Sequence, residues 1–204
     1  MDAADLNNIT TITGEATAGI VTTLNVNDAD DIGTGATVTN IDVVTIGTAA
    51  NTDQTLSVAA DDITTVQFTT ITGSGDDNLT TIGANNADLT NTTISGIDVI
   101  DVTNTATGDL ILDNASISGA VTLTAAAGTD LLITEAGTYT NLTTTGADFD
   151  SMVLTGGATV QTYNVSETIF DGSGTTSIVA IDGTGAATDP ALAIGMVGTA
   201  FDLT

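Results

Sequence analysis

The chain contains no lysine, arginine, histidine, cysteine or tryptophan among its 204 residues, and a single proline, Pro190. Each gap removes a kind of chemistry. Without His, Cys or Lys there is no imidazole base, thiolate, Schiff-base amine or Ser-His-Asp relay. Without Lys or Arg there is no phosphate clamp, no basic surface for nucleic acid and no polybasic membrane anchor. Without Cys there is no disulfide framework. Paired carboxylates remain as a catalytic option, as in glycoside hydrolysis, yet aromatic platforms for sugar are scarce in a chain that is 3% aromatic. The expectation is a protein that is not an enzyme.

No run is long and apolar enough to insert in a membrane as a helix. The N-terminus, Met1-Asp2-Ala3-Ala4-Asp5, lacks the basic and apolar stretches of a signal peptide. That leaves a mature or excised fragment, a shortened chain, or export by a C-terminal signal. The tail Leu192 to Thr204, small and apolar with one acid between apolar residues, resembles type I secretion tails.

What is present is acid and β-branched side chain. Twenty-six Asp and Glu give a net charge of −26, while 41% of residues are hydrophobic. Disordered acidic chains are poor in Ile, Val and Leu, and here those residues recur beside Thr throughout. Val, Ile and Thr suit a pleated sheet and lose rotamer freedom in a helix. With no cation to form ion pairs, clustered carboxylates must be dispersed in water or matched by metal ions. Carboxylate and carbonyl oxygens suit Ca²⁺, which is abundant outside cells, so the composition points to an extracellular place.

Repetition organises the chain. Thr37-Val38-Thr39-Asn40-Ile41-Asp42-Val43-Val44 matches Thr93-Ile94-Ser95-Gly96-Ile97-Asp98-Val99-Ile100 position by position. Related segments begin at Ser116, Tyr139 and Val160. Anchors at Ile94, Ile117, Tyr139 and Val160 lie 23, 22 and 21 positions apart, the spacing of coils in a stacked repeat. Within units such as Ile117 to Leu123, apolar and polar residues alternate as in a half-buried strand. Gly-rich clusters such as Ala126 to Asp130 read as turns. The expected fold is all-β: a β-solenoid, a parallel β-helix-like stack of coils of about 20–23 residues. The alternative is a β-sandwich. Residues 1–182 read as one repetitive domain, and 183–204 as a cap, tail or assembly segment.

Acidic clusters are the candidate metal ligands. Asp28, Asp30 and Asp31 crowd one segment, and Asp61 and Asp62 precede Ile63. Gly73-Ser74-Gly75-Asp76-Asp77-Asn78-Leu79 resembles half of the calcium-binding nonapeptide of RTX (repeats-in-toxin) proteins. That resemblance implies Asp77 as the main carboxylate ligand, Gly73 and Gly75 as carbonyl ligands, Asp76 as a helper, and Leu79 buried. Thr72 stands where the pattern has its first glycine, and Gly172 to Ile178 repeats the turn without its acids.

The unit T-[IV]-[ST]-[GN]-I-D-V-[IV], set in a Thr/Ala/Gly/Asp background, resembles the repeats of bacterial surface-layer proteins. What this implies is a secreted structural subunit that self-assembles into a layer or matrix filament, with calcium bridging its acidic turns. Its partners would be copies of itself and cell-surface glycan, not nucleic acid or membrane. A segment of a calcium-dependent adhesin is the alternative. An ice-binding solenoid ranks below both, because the Thr-x-Thr pairs do not recur once per coil in one register.

Overall fold

Strand after strand, the alternating pattern puts aliphatic side chains inward and hydroxyls outward. The coordinates, a computed structural model, describe residues 9–26, 30–32, 36–47, 54–64, 68–83, 85–105, 108–144, 149–155, 161–166, 169, 181–184 and 192–197. The chain runs through β1 (Thr11–Thr13), β2 (Thr23–Val26), β3 (Asp30–Ile32), β4 (Thr37–Thr39), β5 (Val43–Ile46) and β6 (Thr55–Ala59). A short helix, α1 (Ala60–Thr64), leads to the long β7 (Thr70–Gly83), then β8 (Ala87–Asp88) and the long β9 (Thr93–Thr105). Next come β10 (Leu110–Leu112), β11 (Ile117–Ser118), β12 (Val121–Thr124), β13 (Thr129–Ile133) and β14 (Gly137–Tyr139). The last are β15 (Leu142–Thr144), β16 (Phe149–Thr155), β17 (Gln161–Ser166), β18 (Ile181–Thr184) and β19 (Leu192–Val197).

Every pairing among these strands is parallel. The largest sheet orders β15-β12-β9-β7-β5-β2, with β11 on β9 and β6 linking β3 to β7. A second orders β18-β16-β13-β10-β8, a third β14-β17-β19, and β1 pairs with β4. The chain thus returns to each sheet one strand further along. This is a β-solenoid of about five turns, and the β-sandwich alternative falls away.

Coil length follows from register. Thr70 pairs with Thr93 and Ile94 with Ile117, each 23 positions on. Leu110 pairs with Leu131, and Leu131 with Met152, each 21 on. Outside this central run the coil length varies: Thr23 pairs with Val43, 20 positions on, Val43 with Thr70, 27 on, and Met152 with Ile181, 29 on. The expected domain boundary at 182/183 falls inside β18, and β19 continues the parallel stack on β17.

Two of the repeat alignments differ from the expectation. Val43 and Val44 sit under Thr70 and Ile71, which sit under Thr93 and Ile94. Val43 therefore shares the register of Thr93, not of Val99. Tyr139 pairs with Val165 in the third sheet, while Leu142 takes the place above Val121. Val160 lies outside the described residues. A short Thr/Ser–aliphatic–Thr/Ser signature recurs more than once per coil, so pattern matching alone leaves register ambiguous.

Stacking like on like builds the core. Leu24, Val44, Ile71 and Ile94 form one inward column, and Leu56, Leu79, Ile100 and Leu123 another. On the second sheet Leu110, Leu131 and Met152 stack beside Leu112, Ile133 and Leu154, all fully buried. Burying each such side chain stabilises the fold by roughly 1.5–3 kcal/mol. The helix α1 is not foreseen in the sequence; it packs against β8, β6 and β7, with Asp61 and Asp62 in its first turn, where negative charge suits the helix dipole.

Candidate functional site

The carboxylates find partners that the composition does not reveal: backbone N–H groups and hydroxyls, many from a neighbouring coil. Asp42 Oδ2 accepts from Thr22 N (2.8 Å). Asp130 N donates to Asp109 Oδ1 (3.1 Å), and Ser151 Oγ donates to Asp130 Oδ1 (2.7 Å). Gly128 N donates to Asp150 Oδ1 (3.1 Å). Others close their own turns: Asp113 Oδ1 accepts from Ala115 N, Ser116 N and Ser116 Oγ, and Asp88 Oδ1 from Thr90 N and Oγ1. Hydrogen bonds to a charged acceptor are about twice as strong as neutral ones. The dichotomy between solvated and metal-matched acids thus has a third solution, in which donors of the next coil solvate the charge. Sequence reasoning missed these residues, although Asn86, Asp109 and Asp130 recur at coil spacing.

Asp77 is the extreme case. It lies within β7 with Gly73, Gly75 and Asp76, in a strand where a free turn was expected, and it is 0% exposed. Its Oδ1 accepts from Gln54 N (3.1 Å), and its Oδ2 accepts from Ser74 N (2.6 Å) and Ser74 Oγ (2.9 Å). Gly73 of the motif has a steric purpose here. A Cβ on Gly73 would collide with the Gly96 carbonyl oxygen of the next coil and stand 2.9 Å from Asp77 Cβ. A cation bound by Asp77 would have to displace three donors. Leu79 is buried, as the motif implies.

Asp61 and Asp62 form a different site. They line a cavity of about 240 Å³ with Ala36, Thr37, Ala59, Ala60, Gly83 and Asn85. Asn85 Nδ2 donates to Asp61 Oδ1. Asp62 Oδ2 is buried and has no hydrogen-bond partner. Burial, and secondarily the neighbouring Asp61 charge, push the Asp62 carboxyl up to about 6. Two carboxylates and an amide thus line one cavity, oxygen donors of the kind that a hard cation such as calcium takes. Water would have to supply the remaining ligands.

The other expected ligands lie apart. Asp30 and Asp31 fall in β3, opposite Leu56 and Ser57 of β6, and Asp28 lies outside the described residues. The expected acids are thus distributed over β3, α1 and β7. Among the described residues no group of three or more acids is arranged to hold a metal ion. Nor, among them, is any helix long and apolar enough to cross a membrane.

Buried hydroxyls fasten the coils as well. Thr92 Oγ1 donates to Phe68 O (2.8 Å), Ser116 Oγ to Leu89 O (2.9 Å) and Thr144 Oγ1 to Ile169 O (2.8 Å). Fold and site together define a parallel β-solenoid whose acids and hydroxyls clamp coil to coil. No known protein family, curated protein or solved structure matches the chain.

Proposed function

We propose that this protein is an extracellular structural subunit, a rod that assembles with copies of itself into a surface layer or matrix filament. The observation that carries the reading is the coil-to-coil clamping just described. Backbone ladders, buried hydroxyls and several of the carboxylates bond to the adjacent coil, which suits a stiff repeating element. Exposed strand edges of such a stack can pair with further strands, and the outer edges of β2, β18 and β19 have no strand partner among the described residues.

Like-charged bodies of net charge −26 repel, so their contacts need counter-ions. In this reading Asp61, Asp62 and Asn85 are the residues that would hold calcium, which would supply positive charge beside α1. The test is electron microscopy of the purified chain in calcium and in excess chelator. Ordered sheets or filaments that dissolve on chelation are expected. Monomers under both conditions would overturn the reading, and monomers that bind glycan would point to the adhesin alternative.

A further inference from the structure

The outward face of β10, β13 and β16 differs from the other outward faces described. These strands read Leu110-Ile111-Leu112, Leu131-Leu132-Ile133 and Met152-Val153-Leu154, three apolar residues in a row each time. The flanking residues of each triplet are fully buried, so alternation sends Ile111, Leu132 and Val153 outward, where they are partly exposed. Register stacks them directly, Ile111 on Leu132 on Val153, at the interstrand spacing of about 4.8 Å. One outward column of the largest sheet runs Asn25, Thr45, Thr72, Ser95, Ser118, and another sets the single aliphatic Val99 between Asn78 and Thr122. Solvation therefore does not demand aliphatic residues on this surface.

Carboxylates border the stripe. Asp109 and Asp130 lie two residues before Ile111 and Leu132, and Asp113 lies two residues after Ile111. Asp88 occupies the register position below the three aliphatics. A second copy would oppose this rim with the same carboxylates, and a bare metal ion would neutralise the rim but cover no apolar surface. The complementary surface is an aliphatic row between cations, and the chain itself contains no Lys, Arg or His. We propose that this face docks a cationic, aliphatic segment of another polypeptide, with Ile111, Leu132 and Val153 as the apolar floor and the aspartate rim as the charge partner. Its size places the contact among weak, transient interactions, with the rim steering encounter.

The probe is a labelled ten-residue peptide of alternating lysine and valine, compared with one of alternating lysine and serine. Binding to the whole chain is read by fluorescence anisotropy at physiological salt. The lysine–valine peptide should bind about tenfold tighter, a difference of about 1.4 kcal/mol. The double variant Leu132→Thr/Val153→Thr, which places a sheet-compatible residue outward, should erase that preference and leave lysine–serine binding unchanged. Should the double variant lose its strand circular dichroism, Ile111→Thr alone must reduce the preference. Equal binding of both peptides to the natural chain, or a preference that survives these changes, overturns the proposal. So does self-association without peptide, seen by sedimentation and lost in the double variant, because it assigns the face to a second copy.

Discussion

Gly47 and Asp77 belong to neighbouring coils and meet across an all but closed gap. A Cβ built on Gly47 would stand 3.4 Å from Asp77 Oδ2 and 3.3 Å from Ser74 Oγ, and Gly47 adopts φ +69°. Positive φ costs a non-glycine residue roughly 1–2 kcal/mol, and a methyl group would press on Ser74 Oγ as well. Gly47→Ala should therefore lower stability by about 1–2 kcal/mol, read as a shift in urea midpoint at unchanged slope. Gly73→Ala should cost more, since its added carbon meets the backbone of Gly96.

Asp77→Asn exchanges an acceptor-only group for one that must turn an N–H toward Ser74 or Gln54 donors. Unsatisfied buried groups cost about 1–3 kcal/mol each. The variant should lose stability on the order of 2–4 kcal/mol by denaturant titration. A loss below about 0.5 kcal/mol would remove Asp77 from the account of what joins these coils.

Asp62 predicts a pH dependence of unusual sign for a carboxylate. Its folded value, raised to about 6, exceeds the unfolded reference near 3.9, so the native state holds the extra proton between these values. Its contribution is fully present below about pH 4 and lost as pH rises through about 6. Thermal melts across pH 4–7 should show this component fall with rising pH, and Asp62→Asn should flatten it. If Asp61 and Asp62 hold calcium, adding the ion at pH 7 should raise the melting temperature of the natural chain and not of the Asp62→Asn variant. Equal calcium responses would exclude that site.

Thr92→Val removes the hydroxyl that satisfies the Phe68 carbonyl while keeping the shape of the side chain. It should destabilise by about 1–2 kcal/mol, and Ser116→Ala by a similar amount, because Asp113 N loses its acceptor while the Leu89 carbonyl keeps only Thr92 N. Amide hydrogen exchange should quicken first in the two coils that each hydroxyl joins.

The stack was legible because its core is written in β-branched and aliphatic residues at regular spacing. Ile94 and Ile117, matched in the sequence, do lie one above the other. A tighter signature was available: Thr11-Ile12-Thr13-Gly14, Thr37-Val38-Thr39-Asn40, Thr70-Ile71-Thr72-Gly73 and Thr93-Ile94-Ser95-Gly96. Its last residue turns the chain at Asn40 and Gly96, where φ is +56° and +62°. Coil length varies, however, so a fixed period misplaced Tyr139, and a signature that recurs within a coil misplaced Val43. The acids were harder to read. Composition counts charges but not donors, and the N–H groups of Thr22 on Asp42, Gln54 on Asp77 and Asp130 on Asp109 come from residues distant in the sequence. The RTX-like motif singles out Asp77, but its Gly73 makes room for the Gly96 carbonyl of the next coil.

In the central run, one additional coil would meet only the coil below and the coil above. Duplicating Leu110 to Asp130, the span that carries Leu110 onto Leu131, should lengthen the rod by one interstrand step of about 4.8 Å and leave its cross-section unchanged. A polypeptide built this way is a ruler whose graduations are whole loops of chain, so its reach can change by splicing units in or out while the rest of the body keeps its shape.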